Sequence, residues 1–388
     1  MKHLLIILSI LLSAATSLTA QPPHPYSDAL FSYLTVENGM PNNFANDIYK
    51  DSRGFIWIST YGGGLLRYDG YDFKHFNTRS DVPIKSNFVI QTVEDNFHRL
   101  WIATEGGIDI INLDNGTECS SELFGNDTTG FLRQFTAFIT KDSRGSIWAA
   151  TSNSIFKTDF DTDGNISVIS HLTHETKITN PITTIYEYDG QILAGFDNTV
   201  MKLVADDNHN ISAKVFATLL QNLPCNNIKC MVAKENELWV GTNDGLFRYN
   251  PALQTVKEYR HSDSDPLTIT QNLVSDLKIA DNGQLLVATL KGLNFYNTMH
   301  DCFSNISYDQ NAQPGKTLNS NFINCLFCDD NIIWIGTESS GINKMTKPVI
   351  GVKNFTHSID PQSISSGPIN SVYISPSGTL YAGCIEGG

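Results

Sequence analysis

The chain has 388 residues, with 26 Lys and Arg against 40 Asp and Glu, for a formal net charge of −14. Nucleic-acid binding rests on clustered cations that displace counterions from phosphates; no basic run occurs here, which argues against a nucleic-acid partner. The length is large for one domain, but a repeat protein that adds units around a channel routinely exceeds the usual domain size.

Met1-Lys2-His3, the apolar run Leu4 to Leu12 and the small residues Ser13 to Ala20 have the three zones of a secretory signal. The apolar run is too short for a comfortable transmembrane helix, so residues 1–20 are expected to be a signal peptide and the mature chain to be exported. An uncleaved N-terminal anchor is the alternative. Next comes a lone strand, Phe31 to Leu34, resembling the segments that end later repeats: Lys74-His75-Phe76-Asn77 and Val256-Lys257-Glu258-Tyr259. It is expected to pair with the third strand of the last full repeat, Gly341 to Met345, and so close a ring, because closure removes exposed strand edges.

The stretch Gly54 to Tyr68 reads as a strand, a glycine turn and a second strand, since bulky and β-branched residues run up to the glycines and resume after them. It recurs at Leu100-Trp101-Ile102-Ala103-Thr104, Ile147-Trp148-Ala149-Ala150-Thr151, Leu238-Trp239-Val240-Gly241-Thr242 and Ile333-Trp334-Ile335-Gly336-Thr337. Copies without Trp fill the gaps at Leu193, Leu286 and Tyr381, so that positions 57, 101, 148, 193, 239, 286, 334 and 381 differ by 44, 47, 45, 46, 47, 48 and 47. A period of this size filled with short strands is the signature of a β-propeller with one four-stranded blade per repeat. The expected fold is all-β, a seven-bladed β-propeller of four-stranded antiparallel blades over residues 21–350, with 351–388 as the truncated start of a second propeller.

In the first blade the strands are expected at Phe44 to Lys50, Phe55 to Thr60, Leu65 to Tyr68 and Asp72 to Phe76, with a tight turn at Asp51-Ser52-Arg53-Gly54. Asp there can bond the backbone ahead of it and Gly accepts positive φ; Asp142-Ser143-Arg144-Gly145 repeats the turn and Ala280-Asp281-Asn282-Gly283 approximates it. Trp57, Trp101, Trp148, Trp239 and Trp334 are read as structural, packing between neighbouring blades.

Strand alternation puts the turn after strand two and the loop after strand four on one side. That side should carry Tyr61, Glu105, Asn153, Asn198, Asn243, Asp244, Lys291 and Glu338, with the longer loops Thr78 to Asn87, Ser262 to Asn272 and Asp309 to Asn321. Long loops on a rigid scaffold are where binding resides, so Tyr61, Glu105, Asp244, Lys291 and Glu338 are the candidate ligand-binding residues. Charged and amide groups there can hydrogen-bond a polar ligand, and Tyr61 offers an apolar platform.

No nucleophile elbow, metalloprotease helix or phosphate loop is present, and no catalytic residue or cofactor is assigned. Asp159, Asp161 and Asp163, followed by Gly164 and Ile166, match the first half of a calcium loop, but Ser170 stands where the bidentate Glu belongs; an Asp/Gly turn is the favoured reading. The seven cysteines have no framework rhythm, and Cys325 and Cys328, three apart in a strand, should face opposite ways as small buried hydrophobes.

These motifs resemble the two-component regulator propeller repeat. Asn38-Gly39-Met40-Pro41-Asn42-Asn43 matches its "GLP-x-N" loop, Asp51 through Thr60 its central "D-x-x-G-x-[LI]-W-[IV]-G-T" unit, and Gly64-Leu65-Leu66-Arg67-Tyr68-Asp69 its third strand. Repeats four and six depart by losing Trp. The resemblance implies the periplasmic sensor region of a hybrid two-component histidine kinase of the Bacteroidetes type, often responsive to glycan fragments. It implies as partners an oligosaccharide ligand, a second propeller and a β-sandwich domain of the same full-length chain, and a homodimer of the full-length receptor in the inner membrane. It lends this fragment no catalytic residue. An exported enzyme acting on polysaccharide and a non-catalytic adhesion scaffold are the alternatives.

Overall fold

In the computed structural model the described residues are 26–124, 130–152, 154–172, 182, 184–347, 355, 357 and 363–385. The segment read as a secretory signal, and Asn153, lie outside them.

Alternating apolar strands and Asp/Gly turns produce short antiparallel sheets in strict sequence order. β1 (Leu30–Leu34) is followed by a sheet of β2 (Ala45–Lys50), β3 (Ile56–Thr60), β4 (Gly64–Tyr68) and β5 (Phe73–Phe76). β6 (Val89–Glu94), β7 (Arg99–Thr104) and β8 (Gly107–Asn112) form the next, then come β9 (Thr136–Lys141), β10 (Ile147–Thr151), β11 (Ile155–Phe160) and β12 (Ile166–Leu172). β13 (Ile185–Tyr188), β14 (Gln191–Phe196), β15 (Thr199–Ala205) and β16 (Asn210–Val215) precede β17 (Ile228–Lys234), β18 (Glu237–Thr242), β19 (Gly245–Asn250) and β20 (Thr255–Tyr259). β21 (Val274–Ile279), β22 (Leu285–Thr289), β23 (Gly292–Asn297) and β24 (Cys302–Ile306) lead to β25 (Ile323–Asp329), β26 (Ile332–Thr337) and β27 (Ile342–Thr346). A hairpin of β28 (Ile369–Ile374) and β29 (Leu380–Cys384) ends the described chain.

The inner strands β2, β6, β9, β13, β17, β21 and β25 touch in cyclic order, β25 returning to β2. β1 pairs antiparallel with β27, Phe31 opposite Met345 and Leu34 opposite Ile342, so the lone N-terminal strand fills the fourth place beside β25–β27, where the sequence puts it.

Each Trp reaches forward into the following unit. Trp57 packs with Val89, Leu100 and Ile102, Trp101 with Ile139 and Phe156, and Trp148 with Ile185 and Ala194. Trp239 packs with Leu277 and Val287, and Trp334 with Ile48 and Ile58 of the first unit. Leu193 and Leu286 do the same work in the repeats without Trp. These interfaces are the core, and each buries a Trp, or a Leu in its place, between neighbouring sheets.

The turn aspartates do more than close the turn. Asp51 accepts from the backbone N–H of Arg53 and Phe55 and, at 2.8 Å, from Trp57 Nε1; Asp95 and Asp142 accept Trp101 Nε1 and Trp148 Nε1 at 2.9 and 2.8 Å. One buried carboxylate therefore fixes both the turn and the indole six residues on. Trp239 and Trp334, which follow shorter turns, leave the indole N–H without a partner; instead Arg248 and Lys344, their cross-strand neighbours, lie 5.5 and 4.7 Å from the indole rings.

The expected plan of separate four-stranded units is broken in two places. Among the described residues β6–β8 has no fourth strand: Glu118 makes an isolated bridge to Ile111, then residues 120–124 turn helical. Ser120 Oγ accepts the Ile110 N–H at 2.9 Å and Phe124 packs on Trp101 at 5.8 Å, so this helix satisfies and covers the edge that an outer strand would. Further on, β12 and β16 pair in parallel through His171–Asn210 and Leu172–Ile211, merging two units into one eight-stranded sheet. Both outer strands are long enough for Leu172 and Ile211 to meet in a shared apolar cluster.

Candidate functional site: the loop face and the central channel

The long loops on the face predicted to bind are pinned by asparagines placed just before the inner strands. Asn87 Oδ1 accepts the Thr78 N–H at 3.0 Å, Asn272 Oδ1 that of His261 at 2.7 Å and Asn321 Oδ1 that of Tyr308 at 2.6 Å. The backbone carbonyls of the same three residues accept from Gly64, Gly245 and Gly292 of the preceding turn, and Asn43 accepts from Gly341 across the ring closure. Each Asn thus fastens a loop to its own unit and to the previous one. The asparagines were visible as turn residues; their role as staples was not, because it depends on which glycine comes alongside.

The five predicted ligand-binding residues do not converge. Tyr61, Glu105 and Glu338 occupy equivalent places, their N–H groups bonded to the carbonyls of Phe44, Phe88 and Phe322 at 3.1, 3.1 and 3.0 Å. Tyr61 stacks near Phe44 and Phe88, centroids at 5.3 and 4.7 Å, giving an aromatic cluster beside the channel. Asp244 is engaged, accepting from Arg260 Nη1 at 2.8 Å and Asn272 Nδ2 at 3.3 Å. Lys291 stands apart from the others and lines two loop cavities, of about 320 and 490 Å³.

The channel, about 520 Å³, is expected of a propeller, but apart from Tyr61 its lining residues were not singled out by sequence reading. A β-bulge early in β2, β21 and β25 turns Asn46, Ser275 and Asn324 sideways, and each donates to the first carbonyl of the next inner strand, Val89, Ile323 and Ala45. Asp47, Gln91 and Asp276 then accept N–H groups of Thr92, Ile139 and Leu326. Free backbone groups on the innermost edges are met this way, strand to strand around the bore.

Lys278 sits between Asp276, at 3.4 Å, and Asp47; water reaches it, since its side chain is 43% exposed. Burial opposes its charge, but the Asp276 and Asp47 carboxylates outweigh this and raise its pKa. Burial pushes the Asp47 carboxyl from 3.8 up to about 6, against the pull of Lys278 and the Thr92 N–H. Between those values the folded state holds more protons than the unfolded, so this group's stabilising contribution is full below 3.8 and is lost as pH rises through about 6. Asp47→Asn keeps an acceptor for Thr92 and removes the titration. The stability of the variant relative to the parent, by urea unfolding, is expected to rise across that window and level off above it; a difference independent of pH would contradict this.

Asp159 is held by Lys157 Nζ and Ser146 Oγ at 2.7 and 2.5 Å, while Asp161 accepts the N–H groups of Asp163 and Asn165 and folds onto its own turn. Among the described residues no group of three or more His, Cys, Asp or Glu is placed to hold a metal ion. Millimolar calcium is accordingly expected to leave the melting temperature unchanged; a rise abolished by Asp161→Ala would instead place an ion at this turn. Cys325 and Cys328 do face opposite ways, into different apolar clusters; Cys325 is buried as expected, whereas Cys328 is half-buried.

Repeated antiparallel sheets packed through forward-reaching tryptophans, with their inner strands in cyclic contact, define an all-β protein of propeller type. The family model for the two component regulator propeller matches residues 39–62 and 317–339, so these two segments match that family's repeat. The fold is similar to the extracellular domain of a hybrid two component system from B. thetaiotaomicron, with a TM-score of 0.67 and 23% identity over 92% of this chain and 47% of that one. A second such domain from the same organism matches with a TM-score of 0.63 and 20% identity, over 91% and 44%. Virginiamycin B lyase from Staphylococcus aureus matches at a TM-score of 0.59 and 13% identity, over 82% and 99%. At these identities the likeness is one of fold. The chain spans about half the length of the two-component structures it matches. None of the curated proteins compared matches it.

Proposed function

We propose that this chain is the input region of a two-component signalling receptor, exported to the periplasm, and that it recognises oligosaccharides without transforming them. Residues 21–350 make a seven-bladed ring and 351–388 open a second ring. The observation that carries this reading is the loop face, where asparagine staples hold long polar loops rigid around cavities large enough for sugar rings. The repeats match a family described as two component regulator, and proteins of similar fold are extracellular domains of hybrid two component systems. In the full receptor the partners are a second propeller, a β-sandwich domain and a second copy of the chain, with the parent protein in the inner membrane.

Signalling follows from differential affinity: a ligand that binds one arrangement of the paired sensors more tightly shifts the population and biases the distant kinase. Calorimetry of the complete sensor against a glycan panel, beside a kinase reporter in cells, tests it. Binding that tracks reporter output is expected. Cleavage of a glycan by the fragment, with no binding by the sensor, would replace the receptor with an exported enzyme.

A further inference from the structure

The two loop cavities share Lys291 and Asn321 and so form one groove, running from His261 on one side to Ser340 on the other. Its walls are set before any ligand arrives. His261 is tied through its ring nitrogens to the Ile269 carbonyl and Asp263 Oδ1 at 2.8 and 3.0 Å, and Asn319 is tied to the Ser340 carbonyl and to Asn343.

Three features of the groove remain unused by the protein. The Lys291 ammonium has no hydrogen-bond or ion-pair partner among the described residues, although the chain is acidic overall. Gln271 Oε1 is buried without a donor, and its residue lines the same cavity as Lys291. Tyr308 and Phe322, 48% and 51% exposed, present large apolar surfaces in that cavity. Two carboxylates stand at the His261 end of the groove, away from Gln271 and the rings: Asp263 accepts from His261 and Asp265 from the Leu267 N–H.

We infer that this groove binds a carboxylated saccharide, with its carboxylate on Lys291, a ring hydroxyl donating to Gln271 Oε1, and an apolar sugar face against Tyr308 and Phe322. A free ammonium asks for an anion, an orphaned amide oxygen asks for a donor, and exposed rings ask for an apolar face. A uronate ring supplies all three within one residue; a neutral sugar leaves Lys291 unanswered, and an inorganic anion leaves Gln271 and the rings unanswered. The inference rests on the saccharide-sensing reading and narrows it to one site and one ligand class.

Titration of the full chain with trigalacturonate, with neutral galactotriose and with sodium sulfate tests it. Trigalacturonate is expected to bind at least about tenfold more tightly than galactotriose, and Lys291→Ala to erase that preference, since a hydrogen bond to a charged group is worth about one such factor. Gln271→Leu is expected to weaken trigalacturonate binding by about fivefold while leaving the melting temperature equal or higher, because it removes a buried acceptor that makes no bond in the free protein. Lys291→Arg should retain binding. Equal affinity for the two trisaccharides, no effect of Lys291→Ala, or no binding of either sugar would overturn the assignment. So would sulfate competing as strongly as the trisaccharide, which would leave a bare anion site. The wider glycan panel decides the sensing reading independently of these outcomes.

Discussion

Deleting residues 26–34 is expected to lower the unfolding free energy by about 5 kcal/mol and to expose β27 to hydrogen exchange. Phe31 and Ala29 on this segment, with Tyr26, are buried against Phe295, Ile333 and Met345, and full burial of a large apolar side chain is worth about 1.5–3 kcal/mol. Two bonds anchor the strand further: the Phe31 N–H to the Gly315 carbonyl and the Tyr33 hydroxyl to the Thr317 carbonyl, both at 2.8 Å. Without it β27 becomes a free edge, open to pairing with another chain. The loss is a large share of the roughly 5–15 kcal/mol that holds a domain folded. Urea unfolding followed by tryptophan fluorescence, with exchange at residues 342–346, measures it; an unchanged midpoint would mean that β1 decorates the ring without closing it. Gly341→Ala probes the same closure by one atom. Its φ is +76° and an added Cβ would stand 2.1 Å from the Leu34 carbonyl oxygen, so β1 must shift to admit it.

Asp95→Ala is expected to cost about 3–5 kcal/mol, the cost of removing one partner from a buried ion pair. Asp95 is 3% exposed and accepts from the Phe97 and Arg99 backbone N–H groups, from Arg99 Nε at 2.7 Å and from Trp101 Nε1 at 2.9 Å. Truncation strands the Arg99 guanidinium, already short of one partner at Nη2, and leaves Trp101 with a buried unpaired N–H. Asp95→Asn should cost less, because its amide oxygen still accepts from the turn. Trp239 and Trp334 show that the fold tolerates an indole without such a carboxylate, so the arginine carries most of the difference between the two variants. Equal stability of Asp95→Ala and the parent in urea would refute this account.

The repeat and its closure were legible because they are written locally. A Trp, or a Leu or Tyr in its place, every 44–48 residues, Asp six places before Trp57, Trp101 and Trp148, and a glycine turn after most second strands are patterns of spacing and backbone permissiveness, which the linear chain displays. The exceptions were not legible for an equally physical reason. That residues 120–124 replace an outer strand depends on Ser120 reaching the Ile110 N–H, a contact settled only once β8 is in place. That β12 and β16 join depends on two strands of adjacent units extending far enough to touch.

The candidate site divides along the same line. The side of the ring on which Tyr61, Glu105, Asp244, Lys291 and Glu338 emerge follows from strand alternation and needs no coordinates. Their availability does not follow from it, because charge balance is settled by tertiary contacts: Asp244 meets Arg260 sixteen residues on, while the Lys291 ammonium has no partner among the described residues. The channel is the extreme case. Alternation along β21 puts Asp276 and Lys278 on one face, but nothing in the alternation of either strand brings Asp47 of β2 to them. Sequence by itself determined the strands, their turns and the period at which they repeat. The closed ring decided which charges face one another across it, since only closure brings residue 47 within electrostatic reach of residue 278.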